Sequence, residues 1–363
     1  VYRVQALAYD WANNQVSDDY VVRVDKTAPD LKITSPSPNY KIRATTELRA
    51  DSDDSWPGGV PDPPEEYGSP HGEVVGCRLS RSLGTGARRV VRFTLASLPA
   101  RPDRPNEDFV GVTADAAVLL DGAGLPEDMG SGCSHGAAWY ARMLGSTLLA
   151  AMNQHTGSLI GILAEGIKAV TSAHDFVCDL LHPASPAATV VMLRRRGQTL
   201  EWLVLCDSVL LIDLGGAGPP LVITDQRDAW VATDHRAAME ALPIGTPERD
   251  RAHRAYLEAL LAHRNRDGGY WVAATDPLAA EQAITGSIPV PQVHAVALLS
   301  DGAARLVDRF DLIDWREVLN RLAQHGPERL LHDVREAERS DPDGVRWRRS
   351  KIFDDASVIY GRF

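Results

Sequence analysis

The chain has 363 residues, 44% hydrophobic and 24% charged, a composition that suits an ordinary soluble globular protein of more than one domain. Its formal net charge is -11, with no long block of Lys or Arg, which argues against nucleic acid or an anionic membrane as its main partner. No run approaches the ~18 apolar residues of a membrane span. The four cysteines, Cys77, Cys133, Cys178 and Cys206, are widely spaced, without a CxxC pair or a zinc-type His pattern. They read as reduced thiols in a reducing compartment. The opening "VYRVQALAYD" has neither an initiator Met nor a basic n-region, so the chain reads as a fragment or processed form without a signal, and a cytoplasmic location is expected.

In chain order, "YRVQALAYD" and "DYVVRVD" alternate apolar and polar residues around the turn-rich "WANNQVSD", which predicts a hairpin. With the following "VDKTAP" they resemble the last strands of a bacterial immunoglobulin-like repeat, which would make residues 1–50 a short all-β segment. A complete sandwich needs about seven strands in ~100 residues, and there is no room for them here. Residues 51–73, acidic and rich in proline, have linker composition, and the main domain is expected over 74–363.

Within that domain, "RRVVRFTLASL" and "FVGVTADAAVLLD" read as the first two strands. Two helices follow, "SHGAAWYARMLGSTLLAAMNQH" and "SLIGILAEGIKAVTSAHDFVCDLL", with Ser134 and Ser158 as expected N-caps. "ATVVMLRRRGQTLEWLVLCDSVLLIDL" reads as strands with "RRGQ" as a tight connection, and "PPLVITDQ" as another short strand. A charged helix comes next in "TPERDRAHRAYLEALLAHRNR", then the strand "VHAVALLSDG" and the helices "DWREVLNRLAQHG" and "PERLLHDVREAERS". "DDASVIYGRF" is a closing strand led by acids. Sheets interrupted by long helices, with strand hairpins between, predict an α+β layered fold.

Acidic residues punctuate these strands: Glu107 and Asp108 in "PNEDF", Asp121 in "LLDGAG", Asp207 in "LVLCDS", Asp301 in "LLSDGA", and Asp354 and Asp355 in "FDDASVI". A lone Asp at a strand end is more often a turn former or helix cap. Several together, with oxygen as the sole donor type, suit a hard divalent cation such as magnesium or manganese. Gly122 and Gly302 each follow an Asp, which allows a tight turn and a carbonyl ligand.

The order of these motifs, "NED", "DGAG", "CDS", "SDG" and "DD", resembles that of the metal-dependent protein phosphatases of type 2C, over about Arg89 to Arg362. "ATVV" and "GYWVAATDPLAAEQAITGS" resemble further stretches of bacterial members. The resemblance implies a four-layer α-β-β-α sandwich, two antiparallel sheets flanked by helices. It also implies two divalent cations, Mn2+ or Mg2+, one on Glu107, Asp121 and the Gly122 carbonyl, the other on Asp121, Asp301 and Asp354. Asp108, Asp207 and Asp355 would orient ligands and waters. The implied activity is hydrolysis of phosphoserine and phosphothreonine in proteins by a metal-bridged water, without a phosphoenzyme, in bacterial signalling beside a cognate protein kinase. Residues 232–285 fall where the family carries a variable flap.

The pattern also departs from the family. Asp103 stands where members carry a phosphate-clamping Arg, leaving Arg104 as the expected clamp and Arg101 as its alternative. Ala123 replaces a His of animal members, Cys206 replaces the glycine of "GDS", and Leu125 replaces the second glycine of "DGxGG". These changes keep a second reading open, a weak or inactive phosphatase-like module that binds phosphoproteins. A haloacid-dehalogenase-type site is rejected because Ala123 stands where its second Asp would be. "SLGTGARR" and "DLGGAGPP" lack the Lys-Ser/Thr of a phosphate loop.

Overall fold

The computed structural model describes residues 91–363, except 127–128, 155–156, 175–177 and 217, together with three N-terminal strands. The chain divides into two compact units, Val1–Leu79 and Ser80–Phe363. In the first, β1 (Tyr2–Tyr9) pairs antiparallel with β2 (Gln15–Val22) and with the two-residue β3 (Arg49–Ala50), giving the order β2-β1-β3. The hairpin expected from the alternating pattern is therefore present. The expected linker, 51–73, lies outside the described residues.

The second unit is built on two five-stranded sheets. One has the order β10-β9-β12-β13-β4, from β4 (Arg92–Leu98), β9 (Val209–Asp213), β10 (Leu221–Ile223), β12 (Ala295–Leu299) and β13 (Ala356–Arg362). The other has the order β11-β8-β7-β6-β5, from β5 (Phe109–Val112), β6 (Ala116–Ala123), β7 (Ala187–Arg196), β8 (Thr199–Leu205) and β11 (Ile284–Pro289). Every pairing is antiparallel. The helices α1 (Ala137–Gln154) and α2 (Leu159–Ser172) cover the outer face of the β6-β7-β8 side. The helices α5 (Asp301–Asp308) and α6 (Trp315–Ser340) cover the outer face of the other sheet. Two short helices, α3 (Thr233–Glu240) and α4 (Pro247–Leu261), fall within 232–285. The result is the expected α-β-β-α arrangement.

The period-two alternation of side chains in a strand explains the layering. Along β6, Ala116, Val118 and Leu120 join the core under α1 and α2, while Ala117 and Leu119 face the other sheet. Along β12, Ala295, Ala297 and Leu299 pack under α5 and α6, while Val296 and Leu298 meet Leu119 and its neighbours between the sheets. The strands bury both faces, so they read in sequence as continuous apolar runs. Leu119 is fully buried, and truncating such a side chain to alanine costs about 2–5 kcal/mol.

Three local expectations are corrected. "FVGVTADAAVLLD" is not one strand but the hairpin β5–β6, turning between Val112 and Ala116 with Thr113 N–H donating to the Ala116 carbonyl at 2.8 Å. Ser134 does not cap α1. The first turn closes from Tyr140 N–H to the Gly136 carbonyl, and the Ser134 hydroxyl meets Cys178 Sγ at 3.8 Å instead. The second predicted helix stops at Ser172 and does not run on through Cys178. Ser158 does cap α2, its Oγ accepting from Gly161 N–H at 3.1 Å. The two last predicted helices are present as expected, meeting inside α6 at Gly326, whose φ of 79° breaks the helix before Pro327. Among the described residues, no helix is long and apolar enough to cross a membrane.

Candidate functional site

The alternation that fills the core also aims Asp121. It follows Ala117 and Leu119 at odd positions of β6, so it faces the second sheet, and it pairs in register with Thr189 of β7. β12 and β13 run antiparallel with Leu299 opposite Val358, which brings the end of β12 beside the start of β13. Asp301 follows the first, and Asp354 and Asp355 precede the second. Asp207 lies between β8 and β9, where the chain crosses from one sheet to the other.

These segments converge on Asp121. Asp301 N–H donates to Asp121 Oδ2 at 3.4 Å. Asp121 N–H reaches Thr189 Oγ1 at 3.3 Å, and that hydroxyl bonds Ser208 Oγ at 2.6 Å. Asp355 anchors the Glu107 loop, its carboxylate accepting from Glu107 N–H at 2.8 Å and from Ala100 N–H at 2.6 Å. Glu107 Oε2 accepts from Gly124 N–H at 3.2 Å. Gly122 and Gly302 are needed for close approach rather than for a turn. A Cβ on Gly122 would lie 2.5 Å from the Glu107 carbonyl oxygen, and one on Gly302 would overlap the Asp355 carbonyl oxygen.

The electrostatics are strongly one-sided. Burial pushes the Asp121 carboxyl well above the ordinary range, and the charges of Asp108, Asp301, Asp354 and Asp207 push it further. Asp207 is raised by burial and by Asp228 and Asp301. Glu107 is raised by burial, against the nearby Lys351 ammonium. Asp108 is raised by burial and by Asp355, and both its oxygens are buried without a hydrogen-bond partner at bonding distance, with the Ser300 and Ser357 hydroxyls nearby.

Asp354 behaves differently. Burial would raise it, but Lys351 and Arg305 outweigh burial and hold it below the ordinary range. Lys351 Nζ lies 2.8 Å from Oδ1, and Arg305 Nη2 lies 2.7 Å from Oδ2. Arg305 in turn reaches Glu338 Oε1 at 2.5 Å, and Arg335 reaches Glu338 Oε2 at 2.6 Å. Lys351, Arg305 and Asp228 belong to the site although the sequence reading passes over them. Lys351 could have been noticed three residues before Asp354 in "SKIFDD".

Around Asp121 the donor set is oxygen-only, half-buried and surrounded by carboxylates, which is the chemistry of a hard-cation site. The fit is less complete at Asp354, where both oxygens already accept from cationic side chains.

Arg104 lies on the exposed turn that leads to Glu107, with its N–H on the Arg101 carbonyl at 3.3 Å. Arg101 is tied to Asp103 through two bonds, 3.0 and 2.6 Å. Cys206 has a φ of 69°, the left-handed conformation that favours glycine.

No family model matches the chain, and no curated protein sequence does. Among solved structures, the chain is similar to the Mycobacterium tuberculosis serine/threonine phosphatase PstP/Ppp, at 17% identity over 76% of this chain and 99% of that one, with a TM-score of 0.45. Staphylococcus aureus serine/threonine phosphatase Stp1 is similar at 13% identity, over 78% of this chain and 99% of its own, with a TM-score of 0.45. A PstP catalytic domain in complex with two manganese ions is similar at 16% identity, over 75% of this chain and 98% of its own, with a TM-score of 0.44.

Proposed function

We propose that this domain is a divalent-cation-dependent phosphomonoester hydrolase acting on phosphoserine and phosphothreonine in proteins. One observation carries the reading: Asp121 is half-buried at the end of its strand, facing Asp108, Asp207, Asp301 and Asp354, an excess of negative charge that a bound cation would offset. Glu107, Asp121 and the Gly122 carbonyl would hold one Mn2+ or Mg2+. Asp121, Asp301 and Asp354 would hold a second, for which Lys351 must withdraw from Asp354. When bound, such ions supply Lewis acidity to phosphoryl oxygens and lower the pKa of a water near neutrality.

The chain's own groups do the rest. Asp355 holds the Glu107 main chain through its N–H, which fixes that carboxylate relative to Asp121. Thr189 and Ser208 fix the Asp121 backbone. Asp108 and Asp207 supply further carboxylates to orient ligands and accept protons from water. Arg104 is the proposed guanidinium for the substrate phosphate. No nucleophilic Cys or Ser is required. A protein kinase is the class of enzyme that must supply the substrate.

A second reading has specific support. Asp103 engages Arg101 and Lys351 engages Asp354, which suits a domain that binds phosphoproteins with little turnover. Hydrolysis of a phosphothreonine peptide with manganese or with chelator, beside Asp121→Asn, separates the two. Manganese-dependent release of phosphate that the substitution abolishes is expected. Manganese binding and peptide binding without turnover would favour the second reading.

A further inference from the structure

A second cluster of metal-ligating side chains lies apart from the acidic residues. Cys133 Sγ is 3.6 Å from His135 Nδ1, Cys178 Sγ is 3.4 Å from the same nitrogen, and the two sulfurs are 3.7 Å apart. The three donors lie within 4.8 Å of one another, and each residue is half-buried. Zn–S bonds of about 2.3 Å and Zn–N bonds of about 2.0–2.1 Å at tetrahedral angles require donors about 3.8 Å apart for two sulfurs and about 3.6 Å for sulfur and nitrogen. The observed triangle has those dimensions.

The surroundings support the same reading. His135 N–H points at Cys133 Sγ at 3.4 Å and the Ser134 hydroxyl meets Cys178 Sγ at 3.8 Å, contacts that steady a thiolate. The His135 ring stacks on Trp139 at 4.3 Å and meets the edge of His174 at 5.3 Å, which fixes its plane. His174 Nδ1 donates to the Val170 carbonyl at 2.9 Å, so its Nε2 carries the lone pair, and that atom is buried without a hydrogen-bond partner. The loops are held together independently of the triangle. Asp179 N–H donates to the Gly132 carbonyl at 2.7 Å, and a Cβ on Gly132 (φ 67°) would lie 2.6 Å from His182 Cβ.

We propose that Cys133, His135 and Cys178 form a zinc-binding site that joins the segment before α1 to the segment after α2. The first of these segments follows β6, which carries Asp121 and Gly122, so the ion would steady the loop leaving the acidic centre. The role is structural: borderline-soft thiolate and imidazole donors select zinc, whereas the oxygen donors around Asp121 select magnesium or manganese. Burial raises the Cys133 thiol pKa, so zinc would displace its proton, and affinity should rise with pH.

The test is titration of the fully reduced 363-residue chain with cobalt(II) under a phosphine reductant. A thiolate-to-cobalt charge-transfer band with intense tetrahedral d–d bands should saturate at about one ion per chain and vanish on addition of zinc. Carboxylates give no such band, so the acidic centre does not interfere. Cys133→Ser and Cys178→Ser should each remove or strongly weaken the band, His135→Ala should weaken binding at least about tenfold, and Cys206→Ser should keep it. Circular dichroism verifies folding of each variant. Absence of the band in the folded wild-type chain would overturn the proposal. So would a band that survives the double substitution of Cys133 and Cys178, or a Cys133–Cys178 disulfide found in protein purified with zinc present.

Discussion

Lys351 Nζ lies 2.8 Å from Asp354 Oδ1 and brings the chain's own positive charge to the edge of the acidic centre. Its side chain is 52% exposed, so water screens the pair and the ammonium can swing away at modest cost. The ion pair nevertheless competes for a carboxylate that a second cation would need.

Replacing Lys351 by Met should therefore tighten manganese binding. An increase of several-fold in affinity by calorimetry is expected, since each ~1.4 kcal/mol is tenfold and the pair is solvent-screened. Unchanged or weaker binding would mean that Lys351 does not compete with the ion.

Glu338 should be a stability residue rather than a ligand. It is fully buried and is shared between Arg305 and Arg335, so it holds Arg305 against Asp354. Glu338→Ala leaves two buried guanidiniums without their shared acid and should cost about 3–5 kcal/mol in urea unfolding. A loss below about 1 kcal/mol would show that the network contributes little.

The metal-free protein should lose stability as pH rises. Asp121, Asp108 and Asp207 have raised carboxyl pKa values, so from about pH 4 upward the folded chain keeps protons that the unfolded chain has released. The folded state then binds more protons, and its stability falls until those carboxyls ionise. Asp354 acts oppositely, but its lowered pKa confines its effect to more acidic solution, where its contribution is lost as pH falls. Melting temperatures measured between pH 5 and 8 should decline with chelator and decline less with manganese. A profile identical with and without manganese would count against cation binding by these acids.

Cys206 carries the cost of a side chain where the backbone favours glycine. A non-glycine residue in the left-handed region costs about 1–2 kcal/mol, more than the ~0.5–1 kcal/mol entropic disadvantage of glycine relative to alanine. Cys206→Gly should therefore be at least as stable as Cys206→Ala in chemical unfolding, the reverse of the usual order. Greater stability of the alanine variant would contradict the backbone argument.

Much of this was legible in the sequence because strand alternation is a physical constraint. Asp121 continues the inward-facing positions Ala117 and Leu119, and Asp301 and Asp355 interrupt apolar runs at the strand ends where the sheets meet. Cys206 was marked as bulk at a glycine position, and its φ of 69° gives the reason. Contacts between residues distant in sequence were not legible. Nothing in "FVGVTADAAVLLD" distinguished one long strand from a hairpin, since both bury the same apolar residues. Nor could spacing show that Cys178, 45 residues after Cys133, returns to it at the far end of a helical hairpin. The sequence shows no zinc-type His pattern around the cysteines, because the grouping of Cys133 and His135 with Cys178 comes only with the fold.

The central claim is that Asp121 is a carboxylate neutralised by a divalent cation. Anomalous diffraction from manganese-soaked crystals tests it most directly. The account predicts a manganese peak bonded to the carboxylates of Asp121 and Glu107 and to the Gly122 carbonyl, and its loss in Asp121→Asn. Manganese absent from Asp121 in well-ordered, soaked crystals would contradict it.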